Sequence, residues 1–266
     1  MYELELVRRR KRRIRAAIIG GIGTIGVATF SIAAFLGHRV GSFTVSMEAK
    51  NAKLTLSEKS DFVDSTSFLH VGELPGFQLY TYSRFKSLGG SNALDDENND
   101  YTFGIRTNRK GKTFTDFLKY TFFVKNVGDD PAEYDLSLAI KEVVATSEGK
   151  NLEDTLRVMV ISDGEAEVYA KRLQVPNLDE NGQPDYRAPI SVNKYDATKS
   201  FPFEGYAEMF KSQKEVMSQE AQHIEANEVR KYTIVTWLEG FQASGDADTL
   251  KGASIKLGVE INAYEN

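Results

Sequence analysis

Apolar and polar residues alternate along several stretches of this chain. Apolar side chains occupy every second position from Tyr134 to Ile140 and from Ile255 to Ala263. A β-branched and aromatic run occupies 229–238, and the segments 43–49 and 53–56 also suggest strands. A period of two turns one face of a β-strand toward a core and the other toward solvent. We therefore predict an all-β, mainly antiparallel fold.

Two turn clusters between apolar runs predict β-hairpins. Gly128-Asp129-Asp130-Pro131 separates a strand predicted at 117–127 from the run that begins at Tyr134. Asp163-Gly164 supplies the positive φ angles that a two-residue hairpin loop requires. The segment 204–227 permits either a helical stripe or irregular strand. Several short antiparallel strands with turns between them indicate a β-sandwich or jelly roll.

A different pattern precedes the strands. Residues 16–36 contain no charged side chain, and seven of the eight residues from Arg8 to Arg15 are basic. As a helix the uncharged run would be about 31 Å long, enough to cross the hydrocarbon core of a bilayer. Basic residues beside a span remain in the cytoplasm. We therefore predict a basic cytoplasmic segment at 1–15, a transmembrane signal-anchor helix in membrane lipid at 16–36, and an extracellular β-sandwich domain at 37–266.

The same uncharged run has two other interpretations. Its length favours a retained anchor, because the apolar region of a cleaved signal has about 7–15 residues. Cleavage near Ala33 and Ala34 is the alternative, and it would give a secreted protein. The run also contains G-x-G-x-x-G at 21–26, with Glu48 about twenty residues later, as in a dinucleotide-binding turn. Because 27–36 offers only two polar residues for a soluble helix, a dinucleotide-binding oxidoreductase is the weaker alternative.

Charge and composition exclude several classes of function. Residues 1–15 carry seven basic and two acidic side chains, and the other residues carry 26 basic and 36 acidic ones. An acidic domain argues against nucleic acid as a partner, because phosphate binding needs clustered Lys and Arg. The chain has no cysteine, which removes disulfides, thiol catalysis and cysteine metal sites.

No catalytic pattern is complete. The histidines, at 38, 70 and 223, are too far apart in sequence for an H-E-x-x-H zinc motif. Gly111-Lys112-Thr113 lacks the first glycine of a phosphate loop, and no G-x-S-x-G is present. Trp237 continues a predicted strand rather than standing on a loop, so we expect it to fill or cap the core rather than to form a ligand platform. We predict no catalytic residue, cofactor, metal or small-molecule substrate.

Two acidic loops have partial calcium-ligand spacing. In the loop 95–100, Asp96, Asn98 and Asp100 stand at alternate positions, as in an EF-hand, but no bidentate acid follows. The loop 179–185 contains a second partial set with Gly182. Whether either loop binds calcium stays open at this point.

Three segments resemble a known group of proteins. The first is Tyr120-Thr121-Phe122-Phe123-Val124-Lys125-Asn126-Val127-Gly128 with the residues up to Tyr134, and the others are 39–44 and 228–240. They are similar to segments of TasA- and camelysin-type exported surface proteins of Gram-positive bacteria, over about a fifth of the chain. The resemblance implies a jelly-roll-like β-sandwich at the cell surface, with fibre or biofilm-matrix roles in some members.

The expected function is contact rather than chemistry. We expect a membrane-anchored extracellular structural or adhesive surface protein that acts through protein–protein contacts, with self-assembly through exposed sheet edges as one form. Its partner would be a second copy or another protein. A binding subunit of a cell-envelope complex is an alternative.

Overall fold

Strands make up most of the structure. The computed structural model describes residues 30–33, 43–50, 53–71, 79–80, 82, 94–97, 105–107, 111, 113–149, 151–191, 205–240 and 253–264. In chain order the strands are β1 Phe30–Ala33, β2 Phe43–Lys50, β3 Leu54–Ser57, β4 Phe68–Val71, β5 Leu79–Tyr80, β6 Ile105–Thr107, β7 Thr113–Thr115, β8 Phe117–Asn126, β9 Ala132–Val144, β10 Leu156–Ser162, β11 Glu165–Ala170, β12 Asn177–Leu178, β13 Pro184–Asp185, β14 Glu208–Met209, β15 Glu215–Ile224, β16 Val229–Glu239 and β17 Ser254–Tyr264. A 3-10 turn at Leu152–Asp154 precedes β10.

Two large sheets contain most of these strands. The first sheet has the order β15-β9-β17-β2-β4, with β1 also paired to β17, and the second has the order β14-β11-β10-β16-β8-β3, with β5 also paired to β16. Most of the pairs are antiparallel, whereas β2–β17, β5–β16 and β11–β14 are parallel. The prediction of a mainly antiparallel β fold is confirmed.

The main core lies between the two sheets. Leu136 and Leu138 of β9 pack in one cluster with Tyr120 and Phe122 of β8, so each sheet contributes its alternate residues. This cluster also contains the inward residues of β17, which are Ile255, Leu257, Val259, Ile261 and Ala263. The alternation predicted for the last strand is confirmed, because its apolar positions are the buried ones.

A second, smaller core covers the outer face of the second sheet. Met159, Ile161, Val235 and Trp237 project from β10 and β16 on that side and pack under Leu94 and several alanines of the connecting segments. Strand β16 is therefore buried on both faces, and this explains why its residues 232–238 contain no charged side chain and show no regular alternation. Trp237 is completely buried there, rather than between the two sheets.

The hairpin predicted around the 128–131 turn is wrong, although both of its strands exist. Strand β8 pairs with β3 and β16, and β9 pairs with β15 and β17, so the turn carries the chain from one sheet to the other. Asn126 holds this turn by donating to the Asp130 carbonyl at 2.8 Å and accepting from the Gly128 N–H at 2.9 Å. Both strands bury apolar side chains in the same core from opposite sides, and this arrangement excludes direct pairing.

The second predicted hairpin is confirmed. Strands β10 and β11 pair antiparallel up to Ser162 and Glu165, and Asp163 and Gly164 between them have φ angles of 52° and 85°. These are the angles that a two-residue hairpin loop needs. The ambiguous segment 204–227 forms strands β14 and β15, so the helical alternative for it is wrong.

The predicted span is mostly outside the described residues. Four of its residues, Phe30–Ala33, form strand β1, and the others are not described. Among the helices in the described ranges, none has the length and apolarity to cross a bilayer. The helix predicted at 16–36 therefore stays a prediction.

Candidate interaction surface

Strand β17 has a complete neighbour on one side only. On that side it pairs with β9 from Ser254 to Tyr264, opposite Val144 to Glu133, with one irregularity next to Lys256. The alternation of β17 and β9 brings their apolar residues to the same face, and burial of that face fixes the register. The pairing with β9 is therefore a permanent part of the first sheet.

The opposite side of β17 is shared by two strands. Strand β2 pairs in parallel with residues 259–264, and β1 pairs antiparallel with residues 254–257. The change of neighbour falls between Leu257 and Val259. The half of this edge next to Ser254 thus depends on four residues, Phe30–Ala33, that come from the uncharged run.

The other long edge of the first sheet is irregular. Its strand, β15, has two register shifts against β9, between Glu215 and Met217 and between Gln219 and Gln222. At the second shift Ala221 has a φ of 50°, and its N–H donates to the Asp135 carboxylate at 2.9 Å. Bulges and charged side chains are features that prevent edge-to-edge pairing. Strand β15 is therefore a protected edge.

The remaining terminal strands of the two large sheets are short. Strands β4 and β3 have four residues each, and β14 has two. Short edges offer few backbone groups to an incoming strand. Among the edges in the described ranges, the part of β17 beside β1 is therefore the one best suited to exchange its neighbour.

A buried polar cluster connects β16 with the segments that cover the second sheet. The Glu239 carboxylate accepts from Trp237 Nε1 at 2.6 Å, from Tyr82 N at 3.0 Å and from Ser191 Oγ at 3.2 Å. Each of these donors comes from a different part of the chain. The cluster fixes the covering segments and explains why Trp237 is not available as a ligand platform.

Arg157 of β10, opposite Trp237 of β16, is also buried. Its Nε and Nη2 donate to the Pro189 carbonyl at 3.1 and 2.9 Å, and its Nη1 donates to the Leu156 carbonyl at 3.0 Å. Burial lowers the pKa of Arg157 to about 10, and the charge of Glu239 acts in the opposite direction. Arg157 and Glu239 are thus two buried side chains of opposite charge, and each one makes its hydrogen bonds to other groups of the fold.

The first predicted calcium loop is only partly described. Asp95 accepts from Lys231 Nζ at 2.7 Å and from Thr233 Oγ1 at 3.0 Å, and Asp96 contacts Lys119 Nζ. Asn98 and Asp100 lie outside the described residues. The Asp95 and Asp96 carboxylates contact lysines of β16 and β8, so they dock this loop on the second sheet.

The second predicted calcium loop forms the β12–β13 hairpin. Asp179 Oδ1 accepts from the N–H groups of Asn181 and Gln183 at 2.9 and 2.7 Å, which is an Asx turn. Asp185 pairs with Arg187 at 2.9 Å, and this contact lowers the pKa of the Asp185 carboxyl. These carboxylates serve the turn and an ion pair.

The other sequence motifs do not converge on a site. His223 is exposed and contacts Glu225 at 3.1 Å, as expected for a solvated histidine, whereas His38 and the glycine motif at 21–26 lie outside the described residues. Gly111 is exposed, with a φ of 75°. In the part of the chain that the structure describes, no three His, Asp or Glu side chains are placed to hold a metal.

Comparisons of the chain with protein-family models, with curated proteins and with solved structures give no match.

Proposed function

We propose that this protein is a membrane-anchored, extracellular structural or adhesive surface protein that acts through protein–protein contacts, including contacts between its own copies. The basic residues 8–15 and the uncharged run 16–36 support the anchor and its orientation. The mainly antiparallel β fold and the segments similar to TasA-type proteins support a contact role for the domain outside.

The observation that carries this proposal is the shared edge of β17. A residue in a membrane helix uses its backbone N–H and C=O inside that helix. Phe30–Ala33 therefore cannot pair with β17 while the run 16–36 crosses a membrane. Cleavage after Ala33 or Ala34 would remove the same strand from the domain.

Whether the uncharged run stays in the membrane or is cleaved off, the edge of β17 at residues 254–257 lacks β1. Residues 254–257 of β17 would then present backbone donors and acceptors at a sheet edge, where an extended segment can add as a new strand. A second copy of the chain can supply such a segment. The dinucleotide-binding alternative gains no support from the described sheets, because that fold needs successive parallel strand–helix units.

Removal of residues 1–36 tests the contact directly. We expect the purified shortened protein to associate as its concentration rises, with filaments or oligomers in electron micrographs and sedimentation velocity. A synthetic peptide of residues 28–35 in excess should suppress this association, because it occupies the β17 edge. The same peptide with Ser31→Pro is the matched control, since proline lacks the N–H that strand pairing needs.

A shortened protein that stays monomeric at every concentration would contradict the proposal. Association that both peptides leave unchanged would exclude the β17 edge as the contact.

A further inference from the structure

A groove at one end of the second sheet has no role in the contact described above. It has a volume of about 720 Å³ and lies between the end of β11, the 3-10 turn and the turn that joins β14 to β15. Leu173, Met209 and Phe210 form an apolar wall, and Gln174 and Ser212 add polar groups. Ligand sites have volumes of about 300–1,000 Å³ and combine an apolar wall with a few polar groups.

The charged residues of the lining are mainly basic. Lys171, Arg172 and Lys211 line the groove, and among the described lining residues Glu153 is the one acidic side chain. Two of these cations have partners in the described part of the chain. Lys171 contacts Glu153 and Asp154, and Lys211 pairs with a glutamate of β15.

Arg172 differs from the two lysines. Its guanidinium carbon lies 3.9 Å from the centroid of the Tyr186 ring, so the ring holds the guanidinium in place. Within the described ranges, Arg172 has no ion pair and donates no hydrogen bond. A guanidinium fixed in this way presents N–H donors in a planar fork, which matches the two oxygens of a carboxylate.

We propose that this groove binds an acidic peptide segment of a partner protein. A carboxylate of the segment accepts from Arg172, and a neighbouring apolar side chain packs against Met209 and Phe210. Arg172, the lining cation without a carboxylate partner in the described ranges, is the complement of a carboxylate on the segment, and the apolar wall favours a peptide over a small hydrated anion. This proposal does not rest on self-assembly through β17.

Calorimetric titration of the full chain in a neutral detergent tests the groove. The probe is an acetylated and amidated Leu-Glu-Phe-Glu-Leu peptide, and its matched control has glutamine in place of both glutamates. We expect saturable binding of the acidic peptide and about tenfold weaker binding of the glutamine peptide, since a charged hydrogen-bond pair is lost.

Two arginine variants locate the contact. Arg172→Gln should weaken binding of the acidic peptide about tenfold. Arg187→Gln is the control, because Arg187 also lies over a tyrosine ring, at 5.1 Å from the Tyr206 centroid, but pairs with Asp185 and does not line the groove. This variant should bind as the unchanged chain does. Trp237 fluorescence checks that both variants are folded.

Absence of saturable binding would overturn the proposal, and so would equal affinity for the two peptides or an equal loss in the two variants. A dimer that Arg172→Gln dissociates, without peptide binding, would identify a second copy as the occupant and would also overturn it.

Discussion

Tyr134 and Tyr232 meet in the middle of the main core. Their hydroxyls are 2.7 Å apart, and the bond joins β9 of the first sheet to β16 of the second. Both side chains are almost completely buried. A buried hydroxyl that loses its hydrogen-bond partner lowers stability by about 1–3 kcal/mol. When both hydroxyls are removed, neither is left buried without a partner, so this cost does not arise.

We predict that Tyr134→Phe and Tyr232→Phe each lower the free energy of unfolding by about 1–2 kcal/mol. The double variant should lose less than the sum of the two, because the hydroxyls satisfy each other. Urea unfolding of the four proteins measures this coupling, with Tyr206→Phe at a partly exposed position as the control. Strict additivity would show that the bond contributes nothing.

The same pair makes stability depend on alkaline pH. Burial raises the pKa of Tyr134 and of Tyr232 above the ordinary value of 10.0. In the unfolded chain these tyrosines lose their protons near pH 10, while the folded state retains them, so the unfolded state binds fewer protons above that pH. The contribution to stability is therefore complete below pH 10 and falls as the pH rises toward the folded-state pKa.

We predict a decrease in the free energy of unfolding between about pH 9 and pH 11 that is shallower in the Tyr134→Phe, Tyr232→Phe double variant. Urea titrations at stepped pH measure both slopes. Identical slopes would contradict a role for the buried pair.

At the scale of elements, sequence alternation predicted strands better than it predicted their neighbours. The strands around 117–127, 134–141, 229–238 and 254–263 are present, yet the 128–131 turn joins two sheets instead of one hairpin. Alternation shows which face of a strand is buried. That face is the same whether two successive strands pair in a hairpin or lie in different sheets, so alternation does not identify the neighbouring strand. Only Asp163-Gly164, whose turn chemistry specifies the backbone angles, also identified the neighbouring strand.

The layer over the second sheet could not be predicted from periodicity. Its segments supply Tyr82, Leu94 and Ser191, which stand in stretches with no regular apolar spacing. The available signal was the absence of charged side chains from 232 to 238 of β16, because a strand without a charged face needs cover on both sides. Glu239 at the end of that strand then acts as the point to which the covering segments are fixed.

We predict that Glu239→Gln destabilises the protein by about 1–3 kcal/mol, because a neutral amide accepts weaker hydrogen bonds from Trp237, Tyr82 and Ser191 than the carboxylate does. Trp237, the only tryptophan in the chain, donates to Glu239, so its fluorescence reports the loss during urea unfolding. Glu225→Gln, at an exposed position, is the control. Equal stability of Glu239→Gln and the unchanged chain would show that the Glu239 cluster does not stabilise the covering segments.

At the scale of the whole molecule, the candidate surfaces arise from distant parts of the chain. The β17 edge joins residues 30–33 to residues 254–257, and the groove brings Arg172 to Tyr186 and to the turn before β15. The uncharged run predicted an anchor, but nothing in it predicted pairing with the last strand. Likewise, an arginine next to an apolar run does not by itself predict a binding site, because the aromatic ring that it contacts is known only from the structure.

The central claim is that in the cell Phe30–Ala33 give up their pairing with β17 and lie in the membrane while β17 lies outside, and single thiols test it directly. The chain contains no cysteine, so Ser31→Cys and Lys256→Cys each introduce a unique thiol at positions that are strand partners in β1 and β17. On intact cells that express the variants, we predict that a membrane-impermeant maleimide labels Lys256→Cys at once and labels Ser31→Cys only after detergent. Labelling of Lys256→Cys only after lysis, or labelling of both thiols on intact cells, would contradict the claim.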